Sequence, residues 1–341
     1  MDDPGRIDTE VRPTDLATDF VPADFPWHAG ERALQRSAGL AERLAEIGPR
    51  VIRDHMIEQH RAFYPLLPFV AAGAVDPSGA VWATLIAGRP GFLSASDPVT
   101  LAVSAARDPG DPADAGLEDG AAIGLLGIEL HTRRRNRLNG ILRRKGADGF
   151  TVSVRESFGN CPRYIRLRSF RTVRDPAERP AAPPERLDGL DARARAAIAA
   201  AETLFVASAV SGPDGARVDV SHRGGRPGFV RVEADGTLTI PDFAGNGFFN
   251  TLGNIRANPK AGIAFVDFAS GDLLQLSGEA EVVLDDPAIA AFAGAERLLR
   301  FRPRQIVRRP DALPLRWDSP EDGASPHLAR TGDWESARRS A

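Results

Sequence analysis

The stretch RVDVSHRG at 217–224 alternates valine with residues that carry charge or donate hydrogen bonds: Arg217, Asp219, Ser221, His222 and Arg223. Further along, GNGFFNTLGNIRANP opens on glycines at 245 and 247, reads as a short helix from Phe248 to Arg256, and ends at Asn258-Pro259. A helix entered through a glycine turn leaves backbone N–H groups free at its positive end, an arrangement suited to a phosphate. Asn246, Asn250 and Thr251 add neutral side-chain donors. Arg223 or Arg217 on the nearby strand supplies charge in a fork that matches phosphate oxygens. Ser221 and His222 suit the polar edge of a heteroaromatic ring. The plainer alternatives are a solvent-facing strand and ordinary capping by the asparagines.

The elements that carry these residues are written twice. Phe69-Val70 returns as Phe205-Val206, and the turn DPSG at 76–79 returns as GPDG at 212–215. GRPGF at 88–92 returns unchanged at 225–229, and Gly124 and Gly140 return as Gly262 and Gly278. The spacing stays at about 137 positions throughout, which marks a duplicated, domain-sized unit and not a solenoid. The copies differ where chemistry is at stake. The strand VWATLIA before the first GRPGF is apolar, and its sister RVDVSHRG is not.

Each copy starts with a helix pattern and continues into short strands. Residues 29–47 read as an amphipathic helix interrupted by Gly48-Pro49, and a second helix runs over roughly 51–62. DARARAAIAAAE at 191–202 is a third, with Asp191 as its N-cap. FVAAGAV and AVWATLI make one hairpin, and FVASAVS and ARVDVS the matching one. LTI, GIAFVDF and LLQLSGEAEVV continue the second set. Many short strands with regular turns favour a small barrel in each copy. The first copy replaces the glycine-opened helix with RDPGDPADAGLEDG at 107–120, which is poorly suited to a regular helix. The fold class is therefore mainly β with flanking helices, in five segments. An N-terminal arm with helices spans 1–62, and a first, degenerate barrel with its connector spans 63–172. A linker and helix span 173–203, the ligand-binding barrel 204–310, and a tail 311–341.

Composition narrows the functional classes. The formal net charge of −3 over 341 residues gives no electrostatic case for nucleic acid. The single cysteine, Cys161, excludes an intrachain disulfide and a cysteine-rich metal site. The acidic start MDDPGRIDTE has no secretory pattern, and no apolar run reaches membrane length, so a cytoplasmic protein is expected. Nucleophile-elbow, P-loop and dinucleotide-type fingerprints are absent.

SHRGGRPGFV followed by DGTLTIPDFAGNGFFNTLGNIRANPKAG resembles the pyridoxamine 5'-phosphate oxidase-like FMN-binding split-barrel family. HAGE at 28–31, a first barrel, the connector ESFGNCPRYI at 156–165 and a second barrel look like a tandem branch of it. The resemblance covers roughly 27–310. It implies two tandem split barrels with FMN at their junction. The cofactor-binding roles then fall on Arg217, Ser221, His222, Arg223, Asn246, Asn250 and Thr251. No lysine stands between Ile240 and Ala257, a departure from well-known members. The implied activity is oxidoreduction of a small molecule. Members of the family usually pair their barrels in a homodimer, and the sequence leaves open pairing within one chain or across chains. The alternative is a non-catalytic flavin- or haem-binding protein, because fold does not fix function. A further alternative is a redox module whose electron donor is a separate reductase, since the sequence shows no nicotinamide-binding or iron–sulfur segment.

Several motifs lie outside that frame. TRRRNRLNG at 132–140 is either a solvated rim or a face turned to the second barrel's site. Cys161 reads as inert, His28 and Glu31 as a helix cap or site pair, and His55 and His60 as surface or interface residues.

Overall fold

A computed structural model describes residues 26–144, 146–180, 182–212 and 215–339. The N-terminal arm up to residue 25 and the tip of the GPDG turn at 213–214 lie outside the described residues. Three short helices come first: α1 (Ala29–Ser37), α2 (Ala41–Val51) and α3 (Glu58–Phe63). The first sheet holds β1 (Phe69–Val75), β2 (Val81–Ala87), β3 (Leu93–Asp97), β4 (Thr100–Val103), β5 (Ala122–Glu129), β6 (Arg134–Arg143) and β7 (Phe150–Gly159). Strands β8 (Ser169–Thr172) and β9 (Glu185–Leu187) and helix α4 (Ala192–Ala200) lead to the second set. That set comprises β10 (Thr203–Gly212), β11 (Gly215–Gly224), β12 (Arg231–Val232), β13 (Leu238–Phe243), α5 (Asn250–Ala257), β14 (Lys260–Val266), β15 (Leu273–Val283), α6 (Pro287–Ala291) and β16 (Ala295–Arg309). Strand β17 (Leu315–Asp318) pairs with β8, and α7 (Trp334–Arg339) follows.

The two large sheets have one topology. The first runs β2-β1-β5-β6-β7-β4-β3 and the second β11-β10-β14-β15-β16-β13-β12, with β9 added beside β16. The fold is mainly β with flanking helices, in two split-barrel-like units, as the sequence pattern led us to expect.

The repeated glycines stand where backbones meet. A side chain at Gly124 would strike the β11 backbone at Val218-Asp219, and one at Gly262 would strike β2 at Val81-Trp82. The same contact is thus made twice, in opposite directions, across a pseudo-twofold between the barrels. Gly140 and Gly278 each follow a register shift, at Asn139/Gly140 and Ser277/Gly278, and lie against the neighbouring strand.

The register corrects one detail of the repeat. Gly124 pairs with Gly73, and Gly262 pairs with Ala207. Equating the two glycines aligns Ala71, not Phe69, with Phe205. The shared Phe-Val pairs are two residues out of step. Two residues is one full pleat, so each side chain still faces the same layer. In β1, Val70, Ala72 and Ala74 enter the first barrel's core while Phe69 and Ala71 enter the layer between barrels. In β10, Leu204 and Val206 enter the second core while Phe205 and Ala207 meet β1's outer face. Both faces of these strands are buried, which is why they read as unbroken apolar runs.

The N-terminal helices break elsewhere than expected. The chain turns at Gly39, with a left-handed φ of 66°, and the N–H groups of Gly39 and Leu40 close on the carbonyls of Arg36 and Gln35. Helix α2 continues through Gly48-Pro49. Gly48 is there for packing, because a side chain on it would meet the Trp27 ring. The helix expected over 51–62 is shortened to α3. Asp191 does cap α4, accepting from the Ala194 N–H at 2.7 Å. The segment at 107–120 forms only a single 3-10 turn at Asp114–Gly116.

Candidate functional site

A cavity of about 420 Å³ opens between the barrels. One wall is the end of β11, another the turn from β13 into α5, and a third comes from β6 and the connector after β7. Six of the seven residues singled out from sequence line it: Ser221, His222, Arg223, Asn246, Asn250 and Thr251. Arg217 does not. It lies earlier on β11, where its guanidinium reaches Glu156 at 3.5 Å and the carbonyl of Pro26 at 3.4 Å.

The turn into α5 is set by two left-handed residues, Gly247 (φ 78°) and Phe249 (φ 61°). Phe249 is the N-cap of α5 and makes no side-chain cap bond. The Asn246 carboxamide oxygen accepts from the Phe248 N–H at 3.1 Å, a local turn bond. Helix α1 braces α5 from behind. Gly30 and Gly253 meet so closely that a side chain on either would strike the other helix. His28 and Glu31 form a capping box on α1: His28 Nδ1 accepts from the Gly30 N–H, and Glu31 accepts from the His28 N–H at 2.9 Å. His28 also reaches Asn254 at 2.8 Å, and Asn250 donates to Glu31 at 2.6 Å.

The polar floor is a network that crosses the barrel boundary. Arg137 of β6 pairs with Asp219 of β11 at 2.8 Å and donates to Asn250 at 3.1 Å and to Ser221. Ser221 and Thr251 share a hydrogen bond at 2.6 Å, and Thr251 donates to Asp219 at 3.1 Å. Asn139 donates to Glu156 at 2.9 Å. Burial, with Glu156 nearby, holds the Glu31 carboxyl well above its ordinary range, and burial raises Glu156 as well. Both shifts favour the neutral carboxyl and so oppose a build-up of negative charge behind the cavity.

Two further groups depart from sequence expectation. Arg223 is not free, because it pairs with Asp242, which also holds Arg297 at 2.8 Å. Arg297 in turn lies 4.6 Å over the Phe249 ring. His60 is buried, bonded to Ser157 at 2.9 Å, and is no surface residue.

The sequence left open whether the basic run at 132–140 of the first barrel is a solvated rim or faces this site, and it named no single residue of the run as a ligand. Arg135 and Arg137 lie two apart on β6, so they share a face, and both line the cavity with Asn160, Cys161, Arg163 and Tyr164. The basic run therefore faces the second barrel's site. The alternation Arg-x-Arg in a strand was the available signal. Arg135 donates its Nε–H to the Cys161 carbonyl at 2.6 Å and has no ion pair among the described residues. Burial, with Arg137 and Arg223 nearby, lowers its pKa to about 9. His222 is buried and held well below its ordinary pKa, chiefly by burial, and its Nε2 has no hydrogen-bond partner.

Residues 190–311, which contain this β11–α5 wall, match the family model for pyridoxamine 5'-phosphate oxidase. The match is confined to the second barrel and the helix before it, and its split-barrel topology is the one described above. HupZ of Group A Streptococcus overlays with a TM-score of 0.27 at 17% identity, covering 40% of this chain and 98% of its own. HutZ of Vibrio cholerae, described as a haem storage protein, gives 0.26 at 17% identity, covering 36% and 95%. Likeness of this extent carries no ligand from one protein to another. No curated protein matches the chain. Among the described residues no helix is long and apolar enough to cross a membrane, and no cluster of metal-ligating side chains occurs.

Proposed function

We propose that the cavity between the barrels binds FMN and that the chain is a flavoprotein oxidoreductase for a small molecule. The observation that carries this reading is Arg135. It is a guanidinium turned to the cavity with no carboxylate beside it, and a charge so placed gains most from an anion. Residues around it fit a phosphorylated heterocycle. Asn250, Thr251 and Ser221 add neutral donors, and Arg223 and Arg297 add charge already shared with Asp242. Tyr164 and Phe249 offer aromatic surface in the same cavity.

Bound FMN would supply the redox chemistry, and the protein would supply orientation and polarity. The barrels complete the cavity within one chain, so a homodimer is not needed to form it. In this reading a separate reductase is the electron donor and the setting is the cytoplasm.

A second reading, haem in the same cavity without catalysis, is favoured by His222. A neutral imidazole whose Nε2 lacks a partner is a candidate iron ligand, with the arginines left to meet propionates. The absorbance spectrum of the purified protein, with mass spectrometry of the released group, separates the two. A flavin spectrum and released FMN support the first, and a Soret band supports the second. Apoprotein titrated with FMN, riboflavin and FAD then tests the phosphate site. Loss of one charge-assisted contact predicts riboflavin at least ~10-fold weaker. FAD adds an adenosine for which no dinucleotide turn exists. Equal affinity for FMN and riboflavin would remove Arg135 from its role.

A further inference from the structure

The pseudo-twofold that builds the first cavity builds a second, of about 660 Å³, from the opposite faces of the two barrels. By strand register, Thr84, Leu85 and Ile86 of β2 take the places of Ser221, His222 and Arg223. Gln275 takes the place of Arg137, and Arg309 that of Asn160. The inner end of this cavity is closed by its own ions. Asp111 binds Arg309 at 2.8 Å and accepts from Gln275 at 3.0 Å and from Thr84, and Asp108 also holds Arg309. The charge that would meet a phosphate is already neutralised there. Beyond that end the lining sets apolar side chains, the half-buried Ile86 and the buried Leu85, Phe92 and Phe150, beside the ion pairs Arg89–Asp175 and Arg107–Asp114. Arg144 lines the same cavity, with its guanidinium 5.2 Å over the Phe150 ring and its Nε–H on the Leu117 carbonyl at 3.1 Å. Neither it nor the exposed Arg179 has an ion pair among the described residues.

We infer that this second cavity is a separate binding site for a small amphipathic organic anion: a flat apolar body carrying one acidic group, seated on Leu85, Ile86 and Phe150 with its acid on Arg144. It does not take FMN, because Asp111 and Asp108 occupy Arg309. The inference is independent of what the first cavity holds.

Anilinonaphthalene sulfonate is a probe of that chemistry. Its fluorescence is titrated on the full chain with and without saturating FMN, with melting temperature measured for every variant. A saturable site that persists with FMN present is expected. Ile86→Trp, which puts a bulky ring on the seat proposed for the apolar body, should abolish it, and Arg144→Ala should weaken it about tenfold through loss of one charge-assisted contact. Arg135→Ala, in the first cavity, should leave it unchanged. If Ile86→Trp does not fold, Arg144→Ala decides. Probe binding that survives both variants overturns the inference, as does binding lost in Arg135→Ala, and so does absence of a saturable site in the parent protein. Failure of FMN to bind leaves these comparisons intact and counts only against the proposed cofactor.

Discussion

Arg137 on β6 and Asp219 on β11 form an ion pair at 2.8 Å, each almost wholly buried, and they belong to different barrels. The pair joins the duplicated halves at the floor of the first cavity. Asp219 also accepts from Thr251, and Arg137 also donates to Ser221 and Asn250. Removing the cation leaves a buried carboxylate with the raised Glu31 and Glu156 nearby. Arg137→Ala should therefore lose about 3–5 kcal/mol of stability, read by denaturant unfolding. A loss under about 1 kcal/mol would mean that water reaches the pair.

Arg135→Ala should behave oppositely, although it lies two residues away. Its charge is half-buried without an anion, so the variant should match or exceed the parent's melting temperature while losing FMN affinity about tenfold or more. The parent's affinity has a pH signature too. The Arg135 pKa is lowered to about 9, so the charged form that binds an anion is full below that pH and declines above it. Affinity measured from pH 7 to pH 10 should fall across pH 9. A flat profile would count against Arg135 as the contact.

Gly124→Ala and Gly262→Ala should each cost about 1–3 kcal/mol, because the added methyl meets strand backbone that cannot rotate away. Similar losses at the two positions are the mark of the pseudo-twofold. A cost at one position only would show that the two contacts are not equivalent in solution.

His60 should make the protein acid-labile. Burial, with Arg53 and Arg134 nearby, lowers its pKa from 6.5 to about 4. Between those values the unfolded chain takes up a proton that the folded chain refuses. Its share of stability is whole above pH 6.5 and falls away as pH drops to about 4, by at most ~3 kcal/mol. His28 and His222 are also lowered and act in the same direction, whereas Glu31 and Glu156 are raised and act in the other. The difference between the parent and His60→Gln, followed by melting temperature from pH 7 to pH 4, isolates His60. Parallel curves would contradict the assignment.

Cys161→Ser should fold normally and keep its ligand. The cysteine's contact with Arg135 is made by its carbonyl oxygen, which serine retains. The thiol itself is half-buried and free. Loss of turnover with cofactor still bound would show a chemical role for the sulfur.

The sequence by itself determined the duplication, the strand content and which copy is polar. Repeated glycines, hairpin turns and alternation are local signals, and here they agree with the register. It also brought six of seven chosen residues to one cavity, because the end of β11 and the turn into α5 lie side by side within the second barrel. Tertiary structure alone decided the rest. Which of Arg217 and Arg223 faces the cavity depends on how far along β11 the barrel ends, and that is not a local property. Arg223 looked available because Asp242, its partner, stands on β13, a strand it meets only in the folded barrel. Arg135 and Arg137 come from the other copy. Period-two spacing put them on one face of a strand, but the face they share points to the second barrel only because Gly124 and Gly262 let the two sheets close on each other. Charge pairing across such a contact is fixed by packing between segments far apart in the chain, and no window of sequence contains both partners.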